Sequence, residues 1–339
     1  MSHQETYGYA VARIRAMEHR LLDASVLQRM VDADNLSSAL KILGETSYSS
    51  ALASNTGGAD FDKFLETELH GVYEEVKSFA PVREYLDILR YQYDFHNVKV
   101  LLKSAFNVAS GGKKRWDLLT SLGSVSVDDL IANIEAEEYK FLSLGLKDIV
   151  PKCLALWEQE KDVLSVERML DIRMYEVMLE AAESFGTPDT VGWIRTRIDG
   201  ENVRSLLRLK RFDYDAARAA LFIHHGGTLD TDMLLSLVSE PFENWKRALA
   251  FTSFGNVIAS IDAAGSFSEL ILSLEKVLDD FYLEKLAIFR YSSTAPENLL
   301  AYLWDKEMEV KNIRMILVAK TSGGDREQLR RLLRHGSVQ

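Results

Sequence analysis

Cysteine is almost missing from this 339-residue chain. Cys153 stands alone, which excludes an internal disulfide framework and a thiolate metal cluster and gives no sign of an oxidising compartment. Proline is scarce, with five in all, so few positions forbid a helix. No stretch approaches the roughly 18 to 20 uncharged apolar residues that span a bilayer. The opening MSHQETYGYAVARIRAMEHR has no apolar h-region, so the sequence predicts a soluble chain with no direct transmembrane segment, signal or anchor. Net positive charge is lacking too: 40 Lys and Arg face 51 Asp and Glu, a formal charge of -11. That balance argues against nucleic acid as a ligand, because phosphate contacts need a basic footprint. What the chain has is 47% hydrophobic and 10% aromatic residues, enough to bury a sizeable core.

The prolines punctuate the sequence. Pro81, Pro188 and Pro296 each precede a long proline-poor run and read as helix starts, where the missing N–H is no loss. Gly111-Gly112 closes the first run and Gly323-Gly324 the third, as glycine past a helix end should. Inside the runs a phrase recurs: DFHNVKVLLK from Asp94, DGENVRSLLR from Asp199 and EVKNIRMILV from Glu309. Their asparagines, Asn97, Asn202 and Asn312, lie 105 and 110 residues apart. GSVSVDDL from Gly123 matches GTLDTDML from Gly227 at a spacing of 104, and LGETSYSSAL from Leu43 resembles LAFTSFGNVI from Leu249. Three phrase families in one register predict three copies, placed at 1–117, 118–221 and 222–339.

The copies read as helical. At +1, +4 and +5 from each asparagine stand Val98, Leu101, Leu102; Val203, Leu206, Leu207; and Ile313, Ile316, Leu317, a 3.6-residue stripe. Alternation flanked by Asn-Gly or Asp-Gly turns is lacking, so the predicted fold class is all-α, each copy a small helical bundle. Position −3 is an acid in every copy: Asp94, Asp199 and Glu309. On a helix it shares the apolar stripe, so the carboxylates point inward and must be paired or accept hydrogen bonds. The expected role of acid and asparagine is to tie this helix to the end of a neighbour; a ring of acids lining a cavity is the functional alternative.

Reactive motifs fail on inspection. GGKKR from Gly111 superficially resembles a phosphate loop, but Lys114 stands where Ser or Thr is needed and Asn107 where the first glycine belongs. His224 and His225 are adjacent and cannot face one metal from one helix side, while His3, His19, His70, His96 and His335 are scattered. Asp279-Asp280 invites comparison with a magnesium motif of all-α enzymes, but Leu283 occupies a position needing a carboxylate, so a solvated acidic helix face is expected. Asp128-Asp129 fit the first turn of a helix capped by Ser126. Basic residues crowd two places, Arg195 to Arg211 and Lys311 to Arg334. Among them Arg204, Arg208, Lys311 and Arg314 are candidate partner contacts, against the simpler reading of solvated faces with partners on their own helix.

Taken together, WDKEMEVKNIRMI from Trp304, YDFHNVKVLLK from Tyr93, IDGENVRSLLR from Ile198 and LGETSYSSAL from Leu43 resemble the C subunit of archaeal and bacterial V-type (A-type) ATP synthases, whose eukaryotic equivalent is the d subunit. The resemblance spans essentially the whole chain, and the joint order of the phrases is what makes it specific. It implies a funnel of three similar helical domains around a pseudo-threefold axis, without an active site or cofactor. It further implies a rotor part that caps the membrane-embedded ring and receives the central shaft of D and F subunits, peripheral at the cytoplasmic face of the membrane. The family's asparagine-bearing helices map onto Asn97, Asn202 and Asn312. A helical-repeat scaffold for another partner is the alternative reading.

Overall fold

A computed structural model describes residues 3–54, 61–212, 214–261 and 266–336. Among them every regular element is a helix, so the chain is all-α as its periodicity implied. In chain order the α-helices are α1 (His3–Met17), α2 (Ala24–Asp32), α3 (Leu36–Leu43), α4 (Ser49–Ser54), α5 (Phe61–Phe79), α6 (Asp87–Ala109), α7 (Val127–Glu135), α8 (Leu146–Glu160) and α9 (Val163–Ser184). There follow α10 (Pro188–Leu209), α11 (Ala216–Ala220), α12 (Thr231–Ser236), α13 (Phe242–Ala248), α14 (Gly255–Ala259), α15 (Phe267–Ala287), α16 (Glu297–Ser322) and α17 (Arg326–Leu332). The side chain of His3 lies outside the described residues.

Short polar residues set the helix starts. Asp23, Asn35, Ser126, Asp162, Asp230 and Asp325 each accept from a backbone N–H in the first turn after them. Ser266 and Glu269 form a reciprocal capping box on α15. Pro188 opens α10 and Pro296 caps α16, but Pro81 differs from expectation. It ends the approach from α5, Val82 is extended, and a 3-10 turn at Arg83–Leu86 leads into α6 at Asp87. Proline disfavours helical backbone in the residue before it, and here that break comes before the next helix can begin. Gly111 and Gly323 take the left-handed backbone, φ 85° and 74°, past the ends of α6 and α16.

By contact the chain divides into two compact units. One comprises Val82–Ile198 with His224–Gly227, and the other Met1–Pro81, Asp199–Ile223 and Thr228–Gln339. The repeat divisions at 117/118 and 221/222 fall inside these units. In the first unit α6 packs against α9 and α7, and α8 packs along α9. Phe106 stacks on Trp157 with ring centroids 4.3 Å apart, and the Tyr85 hydroxyl meets Thr190 Oγ1 at 2.6 Å in the core.

The second unit is organised on α16, which packs against α1, α2, α3, α5, α15 and α17. Every residue from Glu297 to Val310 is buried. A helix buried on all sides normally carries apolar residues all round, yet this run includes Glu297, Asp305, Lys306, Glu307 and Glu309, and for the last four pairing resolves the conflict. Lys306 Nζ lies 3.0 Å from Glu68 and 2.8 Å from Glu309, with the Tyr48 ring 4.2 Å away. Asp305 faces Arg290 at 3.5 Å, and Tyr73 donates its hydroxyl to Glu307. Unpaired, any one of these charges would cost several kcal/mol. The nine stripe positions read from the sequence are all buried.

Candidate functional site

The repeated acid and asparagine are the polar groups the sequence singles out, and the structure places each pair on the buried face of a long helix. On α6, Asn97 grips one residue from both sides: its Nδ2 donates to Thr120 O at 2.9 Å and its Oδ1 accepts from Thr120 N at 2.9 Å. One turn earlier Asp94 accepts from Ser124 N (3.1 Å), Ser124 Oγ (2.6 Å) and Val125 N (2.9 Å). Arg90, a further turn back, donates to the carbonyls of Leu122 and Gly123 at 2.9 and 2.6 Å. Three side chains at i, i+4 and i+7 thus satisfy the backbone of the loop 120–125, which feeds Ser126 and α7. The approach is close enough to require glycine at 123, since a Cβ there would stand 2.3 Å from Asp94 Oδ1. Burial pushes the Asp94 carboxyl above the usual range, and the donors from Ser124 and Val125 pull it part of the way back.

On α10, Asp199 accepts from Thr228 N at 2.9 Å, Thr228 Oγ1 at 2.6 Å and Leu229 N at 3.0 Å, directly before Asp230 caps α12. Asn202 is buried beside it on the same helix. On α16, Asn312 repeats the two-sided grip, donating to Arg334 O at 3.0 Å and accepting from Arg334 N at 2.9 Å. Glu309 accepts from the Tyr48 hydroxyl at 2.6 Å, from Lys306 and from the backbone N–H of Leu22. Burial, with the Glu309 charge beside it, pushes the Tyr48 phenol well above its ordinary value.

The four candidate partner-contact residues are ion-paired within the chain. Arg204 pairs with Glu201 and Arg208 with Glu275, while Lys311 meets Asp279 and Arg314 meets Asp62, each at 2.6 Å. Their side chains are 34%, 47%, 42% and 46% exposed, but Glu201, Glu275 and Asp279 are largely buried, so only the Arg314–Asp62 pair is exposed at both ends and adds little stability. Asp279 and Asp280 are not the solvated face expected from sequence. Asp279 takes Lys311 and Arg334, and Asp280 takes Lys276 and the backbone N–H of His335, because the C-terminal segment folds over α15. Ser126 caps α7 through Asp129 N at 3.3 Å, as the sequence implied. Among the described residues no group of three or more His, Cys, Asp or Glu is arranged to hold a metal, and no helix is long and apolar enough to cross a membrane.

Sequence reasoning missed Arg90 and the Lys306–Glu68–Tyr48 cluster. A lysine inside the run LLAYLWDKEMEV was the available signal, since a cation there has to find partners.

Buried polar side chains committed to loop backbone and to one another, with long helices as the frame, define an all-helical protein whose repeated polar groups serve its own packing. The family model of the ATP synthase (C/AC39) subunit matches residues 10–332, and the chain belongs to that family, an accessory, non-catalytic component of V-type and A-type ATP synthase complexes. It is 24% identical to the C subunit of the A-type ATP synthase of Methanocaldococcus jannaschii, over 96% of this chain and 86% of that one. Identity to the C subunit of the V-type sodium ATPase of Enterococcus hirae is also 24%, over 95% and 96%. The C subunit of the A-type ATP synthase of Methanobrevibacter smithii is 26% identical over 92% and 84%.

Proposed function

We propose that this chain is a central-stalk rotor subunit, a socket that couples the D and F shaft subunits to the membrane rotor ring at the cytoplasmic face and passes torque between them. The observation that supports it most is the family match along nearly the whole chain. The packing is of the kind that such a role needs. A part that transmits rotation must not shear, and α16, held on several sides with its buried charges paired, resists sliding because each displaced charge would lose its partner. A ring of many identical subunits cannot match three copies one to one, so contact with it is polar and distributed rather than one deep pocket. Cations at least a third exposed, such as Arg204, Arg208, Lys311 and Arg314, suit such a surface.

Co-elution of the purified chain with D and F subunits, and with detergent-solubilised ring, tests the reading. Replacing Arg204 and Arg208 by alanine together is expected to weaken association about five- to tenfold at low salt and to flatten its salt dependence. Absence of association, under conditions where shaft and catalytic head assemble, points instead to a scaffold for another partner.

A further inference from the structure

The acid on each long helix holds the same point of a neighbouring loop, the residue just ahead of a helix cap. Asp94 accepts from Val125 N, one residue before the N-cap Ser126; Asp199 accepts from Leu229 N, one before the N-cap Asp230. Glu309 accepts from Leu22 N, one before the N-cap Asp23. Measured from its acid, α2 therefore occupies the position that α7 and α12 occupy, although it lies at the other end of the sequence.

The next element agrees. At Thr46, Oγ1 donates to Leu43 O at 2.6 Å and accepts from Tyr48 N at 3.3 Å; at Thr252 the same atom donates to Leu249 O at 2.7 Å and accepts from Phe254 N at 3.1 Å. Tyr48 and Phe254 are both fully buried. The asparagine grip locates the break. Asn97 holds Thr120, 23 residues on, and Asn312 holds Arg334, 22 residues on. In the first case the residues held by asparagine and acid belong to one short loop, 120–125. In the third they are Arg334 and Leu22, from opposite ends of the sequence. Neighbour relations close the pattern. Helix α9 is ion-paired to α6 through Lys99–Asp171 and α15 to α10 through Arg208–Glu275, while α5 is paired to α16 through Lys306–Glu68. Each long helix receives the opening helix of the next copy, and for α16 that next copy is the first.

We propose that residues 21–54 are the second half of the third copy, so that the copies run 61–160, 163–261 and 266–336 continued by 21–54, in place of 1–117, 118–221 and 222–339. The occupant of the acceptor face on α16 is thus a segment of the same chain, and this copy alone is held together by contacts rather than by a continuous loop. Lys320 Nζ adds to the clasp by donating to the carbonyls of Val31 and Ala33, each at 2.6 Å. The inference concerns how the copies are assembled and does not depend on which partners the subunit meets.

The full chain with residues 55–60 replaced by a protease recognition sequence, cut after folding, tests it. The 1–54 fragment is expected to co-elute with the remainder on gel filtration. Glu309→Ala in the cut protein is expected to weaken retention at least tenfold, whereas Asp94→Ala leaves it unchanged. Release of the fragment from the cut parent, or equal release by both substitutions, overturns the proposal. Hydrogen exchange on the uncut chain gives a second reading. Glu309→Ala should lower protection of α2–α4 at least tenfold and spare α7 and α8, and unaltered α2–α4 protection overturns the assignment. If Glu309→Ala does not fold, Tyr48→Phe makes the same comparison, with an expected loss of about threefold.

Discussion

The clamp on α6 and the clamp on α16 use one side-chain pair, an acid with an asparagine three residues on, but they gather very different lengths of chain. Asp94 reaches Val125, 31 residues away, whereas Glu309 reaches Leu22 across 287. By loop-closure entropy the longer closure costs about 2 kcal/mol more. The site on α16 is correspondingly richer. Asp94 satisfies a backbone loop, while Glu309 also engages Tyr48 and Lys306, and Lys306 engages Glu68. The clamp that closes a local loop binds that loop's own backbone and Ser124 hydroxyl, with Arg90 beside it; the one that joins distant segments adds a buried lysine and a tyrosine to the carboxylate itself.

The largest expected effect tests that difference directly. Glu309→Ala should cost about 3–4 kcal/mol, because it strips a buried lysine of one partner and leaves a tyrosine hydroxyl and an amide unpaired. Asp94→Ala should cost about 2–3 kcal/mol, from unsatisfied loop donors alone. Urea unfolding at neutral pH measures both, and an Asp94 penalty equal to or above that of Glu309 breaks the comparison.

Next comes Tyr48→Phe, expected to lose about 1–2 kcal/mol through the bond to Glu309. Its pH dependence sharpens the point. Folding raises the Tyr48 phenol above its ordinary value of 10.0, so the folded chain holds that proton more tightly than the unfolded one. The stabilisation is complete below pH 10 and is lost as pH rises beyond it. Thermal melts between pH 8 and 11 should therefore fall less steeply for the phenylalanine variant, and parallel curves would remove Tyr48 from the clasp. The smallest effect is expected for Arg314→Ala. That pair with Asp62 joins α16 to α5 but is half exposed, so below about 1 kcal/mol should be lost in a double-mutant cycle.

The sequence carried the helical class, the nine buried stripe positions and the Ser126 cap, because 3.6-residue periodicity and capping chemistry are local information. It also carried the inward direction of Asp94, Asp199 and Glu309. It misplaced the start of α6, where Pro81 breaks one helix before the next begins, and it read Asp279-Asp280 as solvated although Lys311, Arg334, Lys276 and His335 reach them. Lys276 sits one turn back on α15 itself, within reach of the i,i+4 rule, but Lys311, Arg334 and His335 lie on later segments that no spacing rule connects to the two aspartates.

Spacing alone established that an acid and an asparagine recur on one helix face, since both sit within a turn of each other and the helix converts their separation into direction. Only the tertiary structure decided what they hold. Glu309 meets Leu22 and Tyr48, and Asn312 meets the backbone of Arg334, because a polar group buried on α16 must take whatever partners packing brings to it. Packing brings Leu22 and Tyr48 from 287 and 261 residues away, a separation at which no local spacing carries information.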